Sequence, residues 1–301
     1  MNFEINKTHL FGDICKSIET KGWVDIENEY YNFLLPSIKG SEYKDPAILN
    51  EELDFIKDKL IEYLTYIEKK EEDSHIYDSD FDIKITGPIN KQEVSIKAIE
   101  YYNNLNEQNL RNEDEYYNAK KIIEQKPIKP KSIMLLIFNY TKTADLYRSD
   151  NFKVNHIHGN LENPNSVIFG YGDELDLNYK ELSRLNDNEY LRNIKSIKYL
   201  ESSNYRDVLS FIESDQYQIY IMGHSCGNSD RTLLNTLFEH NNCVSIKPFY
   251  YKSPNGKDNY LDIIQNISRN FTDMKLMRDR VVNKTYCEPL PQKRRNKRPT
   301  I

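Results

Sequence analysis

The pentapeptide Gly223-His224-Ser225-Cys226-Gly227 follows the apolar run Ile219-Tyr220-Ile221-Met222 and precedes a helix-forming stretch, Asp230–His240. Gly-x-Ser-x-Gly between a strand and a helix is the written form of a hydrolase nucleophile elbow. The same layout puts small residues at a helix N-terminus, where backbone N–H groups cradle a phosphate. An elbow needs a base that reaches Ser225. In the chain order usual for that fold an acid and then a histidine follow the serine, and the only later histidine is His240. A helix rises ~1.5 Å per residue, so a histidine at the far end of the helix that starts beside Ser225 is out of reach. His158 could serve only from an unusual chain order. A ligand-binding turn is therefore favoured over an elbow, with Ser229 or Asp230 expected to cap the helix.

The other candidate groups also sit where short apolar runs end. Ile133–Phe138 runs into Asn139-Tyr140-Thr141, and Phe152–Ile157 into His156-Ile157-His158-Gly159. Ser166–Phe169 runs into Gly170-Tyr171-Gly172-Asp173. Ligands of open α/β sheets bind outside the carboxyl ends of the strands, so Asn, His, Asp and Gly-Ser at four successive ends point to a site. Each has a plainer reading. Asn139 could satisfy backbone groups in a turn, and His158 could be a hydrogen-bonded core histidine. His156 and His158, two apart on a strand, point the same way, but no third ligand at suitable spacing accompanies them, and no metal is expected.

The elements that must carry these ends are strands alternating with helices. Runs at Ile133–Phe138, Phe152–Ile157, Ser166–Phe169, Gln218–Met222 and Val244–Tyr250 predict strands; Tyr179–Tyr199, Tyr205–Ser214, Asp230–His240 and Asp258–Asn270 predict helices. That alternation implies β-α units and a mostly parallel sheet. Residues from about Pro46 to Gln125 read differently, as polar and helical. Leu53, Ile56, Leu60, Leu64 and Ile67 recur at spacings of three and four, which places them on one helix face. The stripe over 101–125 is weaker, and the intervening DSHIYDSDFDIKITGPINKQ reads as loop with a short strand. The prolines of Lys126-Pro127-Ile128-Lys129-Pro130-Lys131 then break the chain. The expected division is 1–45 as an N-terminal segment of the α/β domain, 46–130 as a helical insertion, 131–275 as the α/β core and 276–301 as a disordered basic tail.

Composition sets the outer bounds. With 301 residues, 38% hydrophobic and 12% aromatic, the chain can fill a large core. A net charge of -6 does not suit a polyanion, and the one basic cluster, Lys293–Arg298, is terminal. Four scattered cysteines without a C-x-x-C pair argue against zinc and a disulfide framework. No signal peptide is evident, and the longest apolar run, Ile133–Phe138, is too short to span a bilayer. A soluble, cytoplasmic protein that binds neither membrane nor nucleic acid is expected, with a homo-oligomer left open.

Taken together, the motifs resemble the AbiH family of bacteriophage abortive-infection proteins from about Trp23 to Tyr251. The resemblance is carried by Gly22-Trp23-Val24-Asp25-Ile26-Glu27, Phe138-Asn139-Tyr140-Thr141-Lys142-Thr143, His156-Ile157-His158-Gly159, Ile168-Phe169-Gly170-Tyr171-Gly172-Asp173, and Gly223-His224-Ser225 with Asp230. That family is in turn distantly similar to sirtuin-type NAD-binding domains, which implies a Rossmann-like α/β fold and NAD as substrate. Carried over, Asn139 orients the nicotinamide ribose and a water. His158 is the general base, a role suited to a group titrating near neutrality. The resemblance places Gly223 and Ser225 on the phosphate or adenosine-ribose side. It makes Thr141, Thr143, Gly159, Gly170, Asp173, His224 and Asp230 further dinucleotide contacts. Family members open on a Gly-Asn-Gly-Phe-Asp type turn, whereas this chain opens MNFEINKTHLFGDICKSI. The expectation is a fragment, a late-starting chain or a degenerate member. An NAD-cleaving antiphage effector with an unidentified trigger is the first reading, a non-catalytic nucleotide-sensing module the second, and a Ser225 hydrolase the third.

Overall fold

The computed structural model describes residues 9–21, 25–39, 45–71, 77–95 and 129–291. Contacts divide the chain into two compact units: residues 1–88, 129–214 and 227–236 form the first; 89–128, 215–226 and 237–301 form the second. The stripe at 101–125 and the cluster Lys293–Arg298 lie outside the described residues.

The first unit begins with helices α1 (His9–Lys21), α2 (Ile26–Lys39), α3 (Pro46–Glu71) and α4 (Ser79–Thr86). Leu49, Leu53 and Ile56 of α3 meet Leu10 and Ile14 of α1 and Tyr30, Tyr31 and Leu34 of α2 in one buried cluster, which also takes in Tyr171 and Leu182. The same helix face continues through Leu60, Ile61 and Leu64, which cover Tyr140, Leu161 and Val167. Burying one such stripe is what stabilises a helix of this composition. α4 replaces the predicted loop. Asp78 caps it, its Oδ1 accepting from the amides of Asp80 and Phe81 at 3.0 and 3.2 Å, and Gly87-Pro88 ends it. A cap and a stop outweighed the polar composition that suggested a loop.

Strands β1 (Ile133–Ile137) and β2 (Phe152–His156) pair in parallel, Ile133 opposite Phe152 and Ile137 opposite His156. The predicted strand Ser166–Phe169 is not a strand. Pro164–Ser166 forms a 3-10 turn, after which the Ile168 amide bonds the His158 carbonyl at 2.9 Å. The predicted helix Tyr179–Tyr199 is likewise broken. It becomes α5 (Leu177–Arg184), a 3-10 turn at Asn188–Tyr190 and the single turn α6 (Lys195–Lys198). Asn186 adopts φ +54° and Asp187 caps the 3-10 turn. The Asn-Asp-Asn run thus takes the local turn geometry its short polar side chains favour. α7 (Asn204–Ser214) forms where predicted.

In the second unit β3 (Tyr217–Met222) pairs in parallel with β4 (Cys243–Phe249). The connection contains α8 (Arg231–Glu239), whose residues 231–236 group with the first unit. α9 (Tyr260–Arg269) and α10 (Met274–Arg280) follow, with Ile263, Ile267 and Met277 buried. The chain is thus mixed α/β, its described strands forming two separate two-stranded parallel sheets. Among the described residues, no helix is long and apolar enough to cross a membrane.

Candidate functional site

A network of buried polar side chains in the first unit gathers around the end of β2. His158, just past that strand, is buried, and its Nε2 lies 3.2 Å from the Tyr199 hydroxyl and 3.2 Å from Asp230 Oδ1. The same Asp230 oxygen accepts a hydrogen bond from Lys195 Nζ at 2.7 Å, and Lys195 also bonds Glu27 Oε2 at 2.7 Å. Glu27 Oε1 accepts from the Gly170 amide at 3.0 Å. Four segments far apart in sequence therefore supply one continuous chain: Glu27, Lys195, Asp230, His158 and Tyr199. Phe138 presents its ring edge-on to His158, with centroids 5.4 Å apart.

Local folding explains how each member is held. The 170–174 segment takes the 193–195 segment as a strand-like neighbour, Tyr171 N bonding Asn193 O and Lys195 N bonding Tyr171 O at 3.0 and 2.9 Å. Asn193 is tied in turn to Asn50, a fully buried residue that also receives the Tyr30 hydroxyl. Lys195, only 1% exposed, thus starts α6 pointing inward. Asp230 ends the 3-10 turn Asn228–Asp230, whose cap position is Gly227 without a side-chain bond. Thr232 N bonds Gly172 O at 2.9 Å, and Arg231 pairs with Asp173 at 3.1 Å, which fixes the turn against the 170–174 segment.

A lysine this deeply buried is costly unless paired. Burial pulls the Lys195 ammonium's pKa down, but the carboxylates of Asp230 and Glu27 overcome it and hold the group above its ordinary value. Glu27 moves the other way from a typical carboxylate. Burial and then the Asp230 charge lift it to about 7 against the pull of Lys195 and the Gly170 amide. Burial, followed by the Asp230 and Glu27 charges, pushes the Tyr199 hydroxyl well up, so it is a neutral donor or acceptor beside His158. With Lys195 charged and both carboxyls ionised the cluster carries one excess negative charge. One further proton, on Glu27 or on His158, makes it neutral.

The remaining sequence candidates fall in several places. Asn139 is exposed, and its Oδ1 accepts from Thr141 N and Oγ1 at 3.2 and 3.1 Å. That is a turn of the kind asparagine commonly makes. Thr143 is exposed in the 3-10 segment Lys142–Tyr147. His156 does not join His158. Its Nε2 pairs with Asp145 at 3.1 Å, so the two histidines hold different carboxylates. Gly159 and Gly170 face the chain's own backbone: a Cβ on them would lie 2.1 Å from Ser166 O and 2.0 Å from Asn193 O. Burial raises the Asp173 carboxyl's pKa, and Arg231 opposes the shift.

In the second unit, Gly223 has φ +80° with open space where a Cβ would stand. Ser225 is exposed, and the His224 Nδ1 accepts from the Cys226 amide at 3.0 Å. Asn266 and Asn270 bond the carbonyls of Ser225 and Cys226 at 2.8 and 2.9 Å. His240 rests on the Tyr217 ring, with centroids 6.0 Å apart, and accepts from Asn242 N.

Glu27, Lys195 and Tyr199 were not singled out from the sequence. Glu27 lies inside the Gly22–Glu27 motif and offered a signal, whereas Lys195 and Tyr199 sit in a segment, NIKSIKYL, that reads as ordinary helix. No curated protein and no solved structure matches the chain. The profile of the family described as "Bacteriophage abortive infection AbiH" matches residues 5–251 of the 301. The match runs through every motif that built the site, from Glu27 to Asp230, and the chain belongs to the AbiH family.

Proposed function

We propose that this AbiH protein is an antiphage effector that binds and hydrolyses NAD, with His158 as general base and Asn139 orienting the nicotinamide ribose and the attacking water. The observation that carries the proposal is the buried His158–Asp230 pair, a histidine held ready to take a proton in a chain whose family is named for abortive infection. In the reaction, His158 takes a proton from water as its oxygen bonds the ribose carbon. The bond to nicotinamide breaks with its electron pair, giving neutral nicotinamide and ADP-ribose. The oxocarbenium-like state between them is what an adjacent carboxylate cluster stabilises. Thr141, Thr143, Gly159, Gly170 and Asp173 are proposed to border this end of the dinucleotide. A Rossmann-like, sirtuin-like sheet is the finer fold that goes with this reading.

The test incubates purified protein with NAD and resolves nicotinamide from ADP-ribose by chromatography. Product from the wild type and none from His158→Ala is expected; equal product from both overturns the assignment of His158. A non-catalytic nucleotide sensor is the second reading. Saturable nucleotide binding without turnover would select it. A Ser225 hydrolase would require labelling by a fluorophosphonate that Ser225→Ala abolishes.

A further inference from the structure

We propose that Asp230, backed by Lys195 and Glu27, is the positioning residue of His158, fixing its ring and setting its charge, rather than a contact to the dinucleotide. This rests on the reading of His158 as the base. Asp230, before α8, and Tyr199, after α6, each lie 3.2 Å from the His158 Nε2; behind Asp230 stand Lys195 on α6 and Glu27 on α2, whose charges also act on Tyr140 after β1.

The geometry places Asp230 between the histidine and the lysine. Its Oδ1 lies between the His158 Nε2 at 3.2 Å and the Lys195 Nζ at 2.7 Å, and the residue is buried. An ionised carboxylate accepts only, so Asp230 favours the tautomer with its proton on Nε2, shared there with the Tyr199 hydroxyl, and the lone pair then falls on Nδ1. This is the tautomer-fixing role that a carboxylate plays behind a catalytic imidazole. Lys195 makes the arrangement stable. Without a cation between them, Glu27 and Asp230 would repel one another until one took up a proton, as adjacent carboxyls do, and Glu27 is the one that takes it, which leaves the Asp230 charge beside the imidazole. Glu27 in turn neutralises Lys195, so that the lysine does not suppress protonation of His158. The order Glu27⁻, Lys195⁺, Asp230⁻, His158 alternates in sign, and each charge acts on the histidine with a sign set by its own.

That alternation distinguishes electrostatic positioning from simple packing. Replacing Asp230 by Asn removes the negative charge nearest His158, so the imidazole's apparent pKa falls by about one unit or more. Replacing Lys195 by Met removes the intervening positive charge, so the pKa rises. Packing damage has no reason to produce opposite signs.

The experiment is an NMR titration of the His158 ring in the full chain, wild type against Asp230→Asn and Lys195→Met. The expected result is a downward shift in the first and an upward shift in the second. No shift, or shifts of the same sign, overturns the proposal. Should Lys195→Met fail to fold, Glu27→Gln takes its place. A downward shift smaller than that of Asp230→Asn is then expected, and an equal or absent shift overturns the proposal. The titration uses no substrate, so a wild type that leaves NAD intact removes the catalytic reading and leaves this test standing. If NAD is cleaved, Asp230→Asn should lower kcat at least tenfold and move its pH profile to lower pH, with KM within about twofold. An unmoved profile overturns the positioning role while the NAD reading survives.

Discussion

Replacing Gly170 by Ala tests whether the site depends on the close approach of two backbone segments. A Cβ at 170 would lie 2.0 Å from the Asn193 carbonyl oxygen and 2.9 Å from its carbon. Both are backbone atoms and cannot swing aside, so the 193–195 segment must retreat by more than an ångström to reach ordinary contact. Two hydrogen bonds register that segment, from Tyr171 N to Asn193 O and from Lys195 N to Tyr171 O. A third joins Gly170 N to Glu27. Losing two of these costs about 2 kcal/mol, and forced overpacking adds about 1–3 kcal/mol. The stiffer unfolded chain returns about 0.4–1 kcal/mol. The net expectation is a loss of about 2–5 kcal/mol. Gly223→Ala is the internal control: it suffers only the left-handed φ, about 1–2 kcal/mol, because nothing stands within 4 Å of its Cβ position. Urea unfolding followed by circular dichroism compares the two variants with the wild type. Equal midpoints for the two alanine variants, or a Gly170→Ala midpoint at the wild-type value, would refute the idea that backbone contact at Gly170 places Lys195.

Two further outcomes concern the buried charges. Glu27 is raised from 4.5 to about 7, so on unfolding it gives up its proton more readily than in the native state. The contribution it makes to stability is therefore fully present below pH 4.5 and declines by about 3 kcal/mol as pH rises through 7. Urea unfolding at pH 5 and pH 8 should show that decline in the wild type and not in Glu27→Gln; parallel behaviour sinks the assignment. For Lys195→Met, the two carboxylate oxygens each lie 2.7 Å from the missing nitrogen and so at most about 5.4 Å from one another. Their repulsion is about 3 kcal/mol at an effective dielectric near 20, consistent with the roughly 3–5 kcal/mol lost when half of a buried pair is removed. Thermal melts should show the defect at pH 8 and a smaller one at pH 5, where Glu27 takes the proton, and a defect independent of pH would count against the pairing.

What could be read from the chain and what could not divides by the distance over which the deciding interaction acts. β1 to β4 and the helices α7, α8 and α9 follow from apolar runs and periodicity, signals confined to a window of a few residues. The helix predicted at Tyr179–Tyr199 failed within such a window too, because Asn186-Asp187-Asn188 competes with the helix for its own backbone. His158 and Asp230 were legible as candidates, being polar groups at strand ends. Their relation was not, since nothing local links residues seventy-two positions apart. Lys195 is the hardest case. A lysine in a polar helical segment reads as solvated, and only the carboxylates that arrive from 168 positions before it and 35 after it make its burial bearable. Asp230 likewise has partners, His158 and Lys195, that are remote in sequence. The cluster therefore depends on the whole first unit being folded before any one of its charges has a favourable place. A substitution that unpacks α2 or α6 should consequently disturb His158 as surely as one that touches it directly.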